Sequence, residues 1–158
     1  MNPIAHILAA YLAVSLVIPN AQVYLIPIAI FAIFVDFDHF PGYAKLRYDS
    51  FKGKKPELNY EQYTRLVRSS IQEPIGIAIL ELFLLFLYIF GIKSELLLVA
   101  GISIFMQWLV DFLTVPTRPF MPLRDEVVCL FFKTDKQRQV SELVGTAVLL
   151  ALFVIVYF

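Results

Sequence analysis

The sequence predicts an all-α fold: a polytopic integral membrane helical bundle with about five transmembrane helices and one interfacial amphipathic helix. Of its 158 residues, 59% are hydrophobic, whereas soluble domains contain about 45–50% apolar residues. A chain this short exposes much of its surface, so a buried core does not explain the excess. The apolar runs lack strict alternation, and lone strands would leave backbone groups unpaired in lipid, so helices are expected.

Five apolar segments are the predicted spans of a single membrane domain, residues 1–158. They cover about 4–18, 23–38, 74–92, 96–115 and 140–158. The last three approach or reach the ~20 residues that a helical span needs, whereas the first two are short. These two would tilt little, thin the bilayer locally, or form a helical hairpin that enters it only partly.

The two long connections, about 40–73 and 116–139, contain every Lys and Arg residue except Lys93. The positive-inside rule therefore places the N-terminus and both connections in the cytoplasm of a multi-pass cell-membrane protein. From Glu57 to Ile71 the apolar side chains share one helical face, which predicts an amphipathic helix lying on the membrane surface. Membrane lipids are thus the expected surroundings, and the sequence leaves the oligomeric state open.

Four polar clusters stand at the ends of the apolar segments, and the predicted topology brings all of them to the cytoplasmic side. They are His6, Asp36-Phe-Asp38-His39, Arg68-Ser-Ser-Ile-Gln72-Glu73 and Gln107-x-x-x-Asp111. Ionisable side chains beside apolar spans are costly and mark functional sites in membrane proteins. Carboxylates and imidazoles at one depth are typical of a metal site.

The predicted metal ligands are His6, Asp36, His39 and Asp111. Asp36 and His39 are three residues apart, so a helix would place them on one face. Carboxylate oxygen with imidazole nitrogen suits Zn²⁺, the expected ion, or else Mn²⁺ or Fe²⁺. For Asp111 the alternative is a salt bridge to Arg118 or Arg68, and for the Asp-His cluster it is a hydrated helix end.

The clusters, in this order, resemble the family of membrane-bound metal-dependent hydrolases that includes the LexA-binding inner-membrane proteins. That family has an N-terminal His, an Asp-x-Asp-His cluster, an Arg-Gly-x-Thr-His-Ser block, and a His-x-x-x-Asp-x-x-Thr helix leading to Pro-Phe. His6 and Asp36–His39 match the first two elements, while 68–73 and 107–114 take the places of the others. The chain departs from the pattern at Gln72 and Gln107, where the family has His.

The resemblance implies a hydrolase of the inner membrane, and we expect its substrate to be a membrane-associated ester or phosphoester. Asp38 or Glu73 would act as general base, and Arg68 would stabilise developing negative charge. The two glutamines favour an alternative, a non-catalytic membrane protein with a structural or metal-binding polar cluster. A transporter ranks third, because only Glu81 lies well inside a span. Nucleic-acid binding is not expected, since the basic residues form no long run.

Overall fold

The computed structural model describes residues 2–53, 62, 70–124, 126–128, 131 and 135–157, and these are mainly helical. The α-helices are α1 (Pro3–Val17), α2 (Leu25–Phe34), α3 (Phe40–Phe51), α4 (Pro74–Ile89), α5 (Glu95–Thr114) and α6 (Asp135–Tyr157). Short 3-10 helices cover Ala21–Tyr24, Val35–His39 and Ser70–Gln72. Within the described part of the chain, β pairing is limited to one bridge, between Thr117 and Val128. The predicted all-α class is confirmed.

The helix ends follow from local chemistry. Asn2 caps α1 by accepting a hydrogen bond from the backbone N–H of Ile4 at 3.0 Å, and Ser94 caps α5 in the same way through Leu96 at 3.2 Å. Such side-chain oxygens replace the partners that the first N–H groups of a helix lack. Between α4 and α5, Gly91 has a φ of 117°, which a residue without Cβ adopts readily.

Among the residues that the structure describes, two helices are long and apolar enough to cross a membrane, over Glu95–Thr114 and Gln139–Tyr157. A third candidate is the pair Ala21–Phe37 and Phe40–Phe51, which is bent by 53°. The apolar helices α1 and α4 have 15 and 16 residues, fewer than the ~20 of a full span. The structure therefore supports two to three candidate spans in a membrane protein, and the five-span topology remains a prediction.

Helix α5 is the centre of the bundle, because it packs against α1, α2 and α4. Helix α1 in turn packs against α2 and α6. Ala10 and Val14 of α1 are buried in one apolar cluster with Ile28 of α2 and Val99 of α5. The hydropathic window of α6 contributes no buried residue, as expected for a helix whose apolar sides contact lipid.

The first long connection begins with a helix that the sequence analysis did not predict. Helix α3 starts immediately after the 3-10 helix Val35–His39, with Pro41 in its first turn, where a residue lacking an N–H is well tolerated. It ends before Gly53, which has a φ of 75°. The predicted interfacial helix lies mostly outside the described residues, and its last part, Ser70–Gln72, is a 3-10 helix.

Candidate metal centre

The start of α1 and the last turns of α5 bring His6 and Asp111 together. His6 Nε2 lies 3.4 Å from Asp111 Oδ1. The two residues are 0% and 3% exposed, respectively. An imidazole and a carboxylate, more than 100 residues apart in sequence, are thus neighbours, and both are buried.

Asp36 joins them from the 3-10 helix that follows α2. Val35, beside it, is buried in an apolar cluster with Ile77 of α4 and Ile104 of α5, which holds this turn against the bundle. Asp36 Oδ1 accepts a hydrogen bond from Gln107 Nε2 at 2.8 Å and another from Gln72 Nε2 at 3.3 Å. Gln72 and Gln107, which lie on separate elements, therefore converge on the same carboxylate oxygen.

His6, Asp36 and Asp111 form a group that could hold a metal ion. Each offers one ligand atom, and these atoms all lie within 4.8 Å of one another. Atoms bonded to one ion at about 2.0–2.2 Å lie within roughly 4.4 Å of each other, so small side-chain shifts suffice.

The imidazole of His6 gives a further reason why these residues fit a cation. Although His6 is fully buried, neither of its ring nitrogens has a hydrogen-bond partner among the described residues. Burying an imidazole without hydrogen bonds is costly. A cation that accepts the lone pair of a ring nitrogen would remove part of that cost.

His39 lies next to Asp36 but does not belong to the three-residue group. In the 3-10 helix Val35–His39 residues three apart are eclipsed, and His39 Nε2 lies 4.0 Å from Asp36 Oδ1. The ring packs edge-on against Tyr43, with 5.9 Å between centroids. The hypothesis that His39 is a metal ligand therefore remains a prediction.

Glu73 is buried beside Arg118 at the start of α4. Its Oε2 accepts a hydrogen bond from the backbone N–H of Arg118 at 2.7 Å, and its Oε1 lies 3.5 Å from Arg118 Nε. Glu73 is 0% exposed and Arg118 is 5% exposed. Glu73 occupies the N-cap position of α4, yet its side chain makes no capping bond there. Its carboxylate instead ties α4 to the segment that follows α5.

Two further predicted site residues are not placed. The backbone of Asp38 belongs to the 3-10 helix Val35–His39, but its side chain lies outside what the structure describes, and so does all of Arg68.

The turn that carries Gln72 is held close to α4 by Gly76. A Cβ at Gly76 would lie 2.7 Å from both the Cα and the carbonyl oxygen of Ile71, closer than real side chains approach a backbone. Only glycine allows α4 to pack so near Ser70–Gln72. Gly76 thereby fixes the position from which Gln72 reaches Asp36.

The sequence analysis missed the pairing of Arg118 with Glu73, having considered Arg118 only as a partner for Asp111. One sequence feature could have indicated it: Glu73 precedes one apolar segment and Arg118 follows the next, so a hairpin of the two segments brings them to the same end. Ser103 of α5 and Thr117 are also fully buried polar residues that no motif had indicated.

Comparisons with family models, curated proteins and solved structures found no match to this chain.

Proposed function

We propose that the protein is a membrane-embedded metal-dependent hydrolase whose site lies at the cytoplasmic interface and acts on a membrane-associated ester or phosphoester. The observation that carries this proposal is the group of buried His6, half-buried Asp36 and buried Asp111, with ligand atoms within 4.8 Å of one another. The cytoplasmic placement rests on the positive-inside rule. The order of the polar clusters, which resembles that of membrane-bound hydrolases, gives the reaction class.

A groove beside Asp36 offers a substrate access to the group. A cavity of about 240 Å³ is lined by Pro3, Ile33, Asp36, Phe37, Phe40 and Tyr43. Phe40 and Tyr43 also line a second cavity, of about 360 Å³, that runs along α3 to Arg47. Ligand sites commonly combine apolar walls with a few polar groups that fix orientation. The hydrocarbon part of a lipid would lie along these aromatic side chains, with its ester group at Asp36.

The roles of the residues follow from their placement. His6, Asp36 and Asp111 would hold the ion, while Gln72 orients Asp36 by a hydrogen bond, as supporting residues do at metal sites. A divalent ion bound there would supply Lewis-acid chemistry, namely activation of water near neutral pH and polarisation of an ester or phosphoryl oxygen.

The remaining proposed roles concern protons and charge. Both oxygens of Glu73 face Arg118, which favours Asp38 over Glu73 as the general base. Arg68 is assigned the stabilisation of negative charge on the substrate.

Lipid hydrolysis by the full chain tests this proposal. The protein is reconstituted into phosphatidylethanolamine–phosphatidylglycerol vesicles with Mn²⁺ or Zn²⁺, or with a chelator, and released products are followed by mass spectrometry. We expect metal-dependent hydrolysis that Asp111→Asn reduces by about 100-fold or more, since the Lewis acid is lost. Asp49→Asn, on α3 outside the group, is the matched control and should retain activity. Equal hydrolysis by Asp111→Asn and wild type would contradict the proposal that this group is the catalytic site.

A non-catalytic metal-binding or structural protein is the second candidate function. The observation that favours it is the convergence of Gln72 and Gln107 on Asp36 Oδ1, because two amide donors satisfy that oxygen without any chemistry. Metal-loaded protein that hydrolyses no ester or phosphoester lipid in the same assay would favour this candidate.

A further inference from the structure

Gln107 projects from α5 into the group formed by His6, Asp36 and Asp111. Its side chain is 1% exposed, and its Nε2 donates to Asp36 Oδ1 at 2.8 Å. Its Oε1 is buried with no hydrogen-bond partner among the residues that the structure describes. A buried amide oxygen without a donor costs free energy, so this atom calls for a positively polarised partner.

Gln72 differs from Gln107, because its amide orientation is fixed from a second side. Gln72 Nε2 donates both to the carbonyl oxygen of Val35, at 2.9 Å, and to Asp36 Oδ1, at 3.3 Å. A carbonyl oxygen only accepts hydrogen bonds. The nitrogen of Gln72 must therefore face Val35, and Gln72 acts as a positioning donor for Asp36.

The amide of Gln107 is oriented by Asp36 rather than by a backbone carbonyl, because the carboxylate oxygen accepts the hydrogen bond from Nε2. A cation bound by Asp36 would favour the opposite orientation, in which Oε1 and Nε2 exchange places while the other atoms keep their positions. An oxygen at the present position of Nε2 would lie 2.8 Å from Asp36 Oδ1. Adjacent oxygen ligands around an octahedral ion with bonds of about 2.1 Å are roughly 3 Å apart. That spacing suits two ligands of one cation, whereas two oxygens without a cation would repel each other.

We propose that Gln107 is a further ligand of the centre, through Oε1, and that the centre takes an oxygen-preferring divalent cation such as Mn²⁺. The inference rests on the metal site proposed above, but it does not require catalysis. With Gln107 the ligands are three oxygens and the imidazole of His6. Carboxylate and carbonyl oxygens suit Mn²⁺, whereas imidazole-rich sets suit Zn²⁺. The replacement of histidine by glutamine thus changes which ion the site selects.

Metal titration of the full-length protein in detergent tests the proposal. Wild type, Gln107→Met and Gln107→His are titrated with Mn²⁺ and with Zn²⁺, and the Co²⁺ absorption spectrum reports the coordination of the bound ion. Methionine matches glutamine in length but has no amide oxygen. We expect Gln107→Met to weaken Mn²⁺ binding by about tenfold or more and to alter the Co²⁺ spectrum. Gln107→His should raise the affinity for Zn²⁺ relative to Mn²⁺, and Gln22→Met, at an exposed glutamine, is the control.

The outcomes separate this proposal from that of hydrolysis. Unchanged Mn²⁺ affinity and an unchanged Co²⁺ spectrum in Gln107→Met would overturn the role of Gln107, even if lipid hydrolysis were observed. Metal binding that depends on Gln107, without hydrolysis of any lipid, would support Gln107 as a metal ligand and contradict the proposed hydrolase activity. If Gln107→Met does not fold, Gln107→Asn replaces it, because the shortened side chain withdraws its amide oxygen and should show the same loss.

Discussion

The interface between α1 and α5 has two unlike halves. In one half, Ala10 and Val14 of α1 are buried with Val99 of α5. In the other half, His6 of α1 is buried as completely, beside Asp111 of α5. Close packing of small apolar side chains stabilises helix association in membranes, whereas burial of polar groups costs free energy unless they are paired. Equal burial therefore has different consequences: the apolar half stabilises the helix pair, whereas the polar half costs free energy that the proposed metal ion would offset.

The ion pair of Glu73 and Arg118 is the polar contact whose loss should cost the most. In Glu73→Gln the buried guanidinium would lose its counter-charge, and removing one partner of a buried pair costs about 3–5 kcal/mol. Denaturant titration of the purified variant measures this free energy of unfolding. Glu126→Gln, at an exposed residue, is the matched control and should unfold like wild type. A Glu73→Gln protein as stable as wild type would show that the pair does not anchor α4.

Replacing the polar half by apolar residues gives the sharpest contrast. The double variant His6→Leu/Asp111→Leu should be as stable as wild type, or more stable by about 1–4 kcal/mol. Well-packed apolar residues often stabilise a fold as much as, or more than, the buried charged pair that they replace. The same variant should bind no metal. Parallel unfolding and metal-binding measurements check both expectations. Strong destabilisation would mean that the polar half, like the apolar half, serves the fold.

Overpacking the apolar half should have the opposite effects: lower stability and unchanged metal binding. Ala10 is 0% exposed, so Ala10→Leu forces extra volume between the helices and should cost about 1–3 kcal/mol of stability. Metal affinity of the folded protein should remain close to that of wild type. Ala147→Leu, at an exposed position of α6, is a size-matched control. Loss of metal binding by folded Ala10→Leu would show that the two halves do not act independently.

The smallest effect is expected at the other end of the bundle. There Tyr24 Oη donates to Glu95 Oε2 at 2.6 Å, in an exposed position. Water replaces such a bond at little cost. Tyr24→Phe should therefore change the unfolding midpoint less than any variant above and leave metal affinity unchanged. A shift as large as that of Ala10→Leu would contradict this ranking.

The sequence predicted the helical class, and it singled out His6, Asp36 and Asp111, which the structure brings together, because both leave a local pattern. Asp36 and Asp111 each follow an apolar run, so the cost of placing them in lipid was visible from the neighbouring residues. The pairing of Glu73 with Arg118 was not predicted, since it depends on how α4 and α5 pack. The direction of the Gln72 and Gln107 amides toward Asp36 likewise arises only when three separate elements meet.

The central claim is that His6, Asp36 and Asp111 hold one metal ion. The most direct test is elemental analysis of detergent-purified protein from metal-supplemented cells, comparing wild type with His6→Ala and Asp111→Ala. We expect a stoichiometric divalent ion in wild type and its loss in both variants, with the folded state verified by circular dichroism. Wild-type protein that carries no ion and takes up none when metal is added, or variants that retain the ion, would contradict the claim.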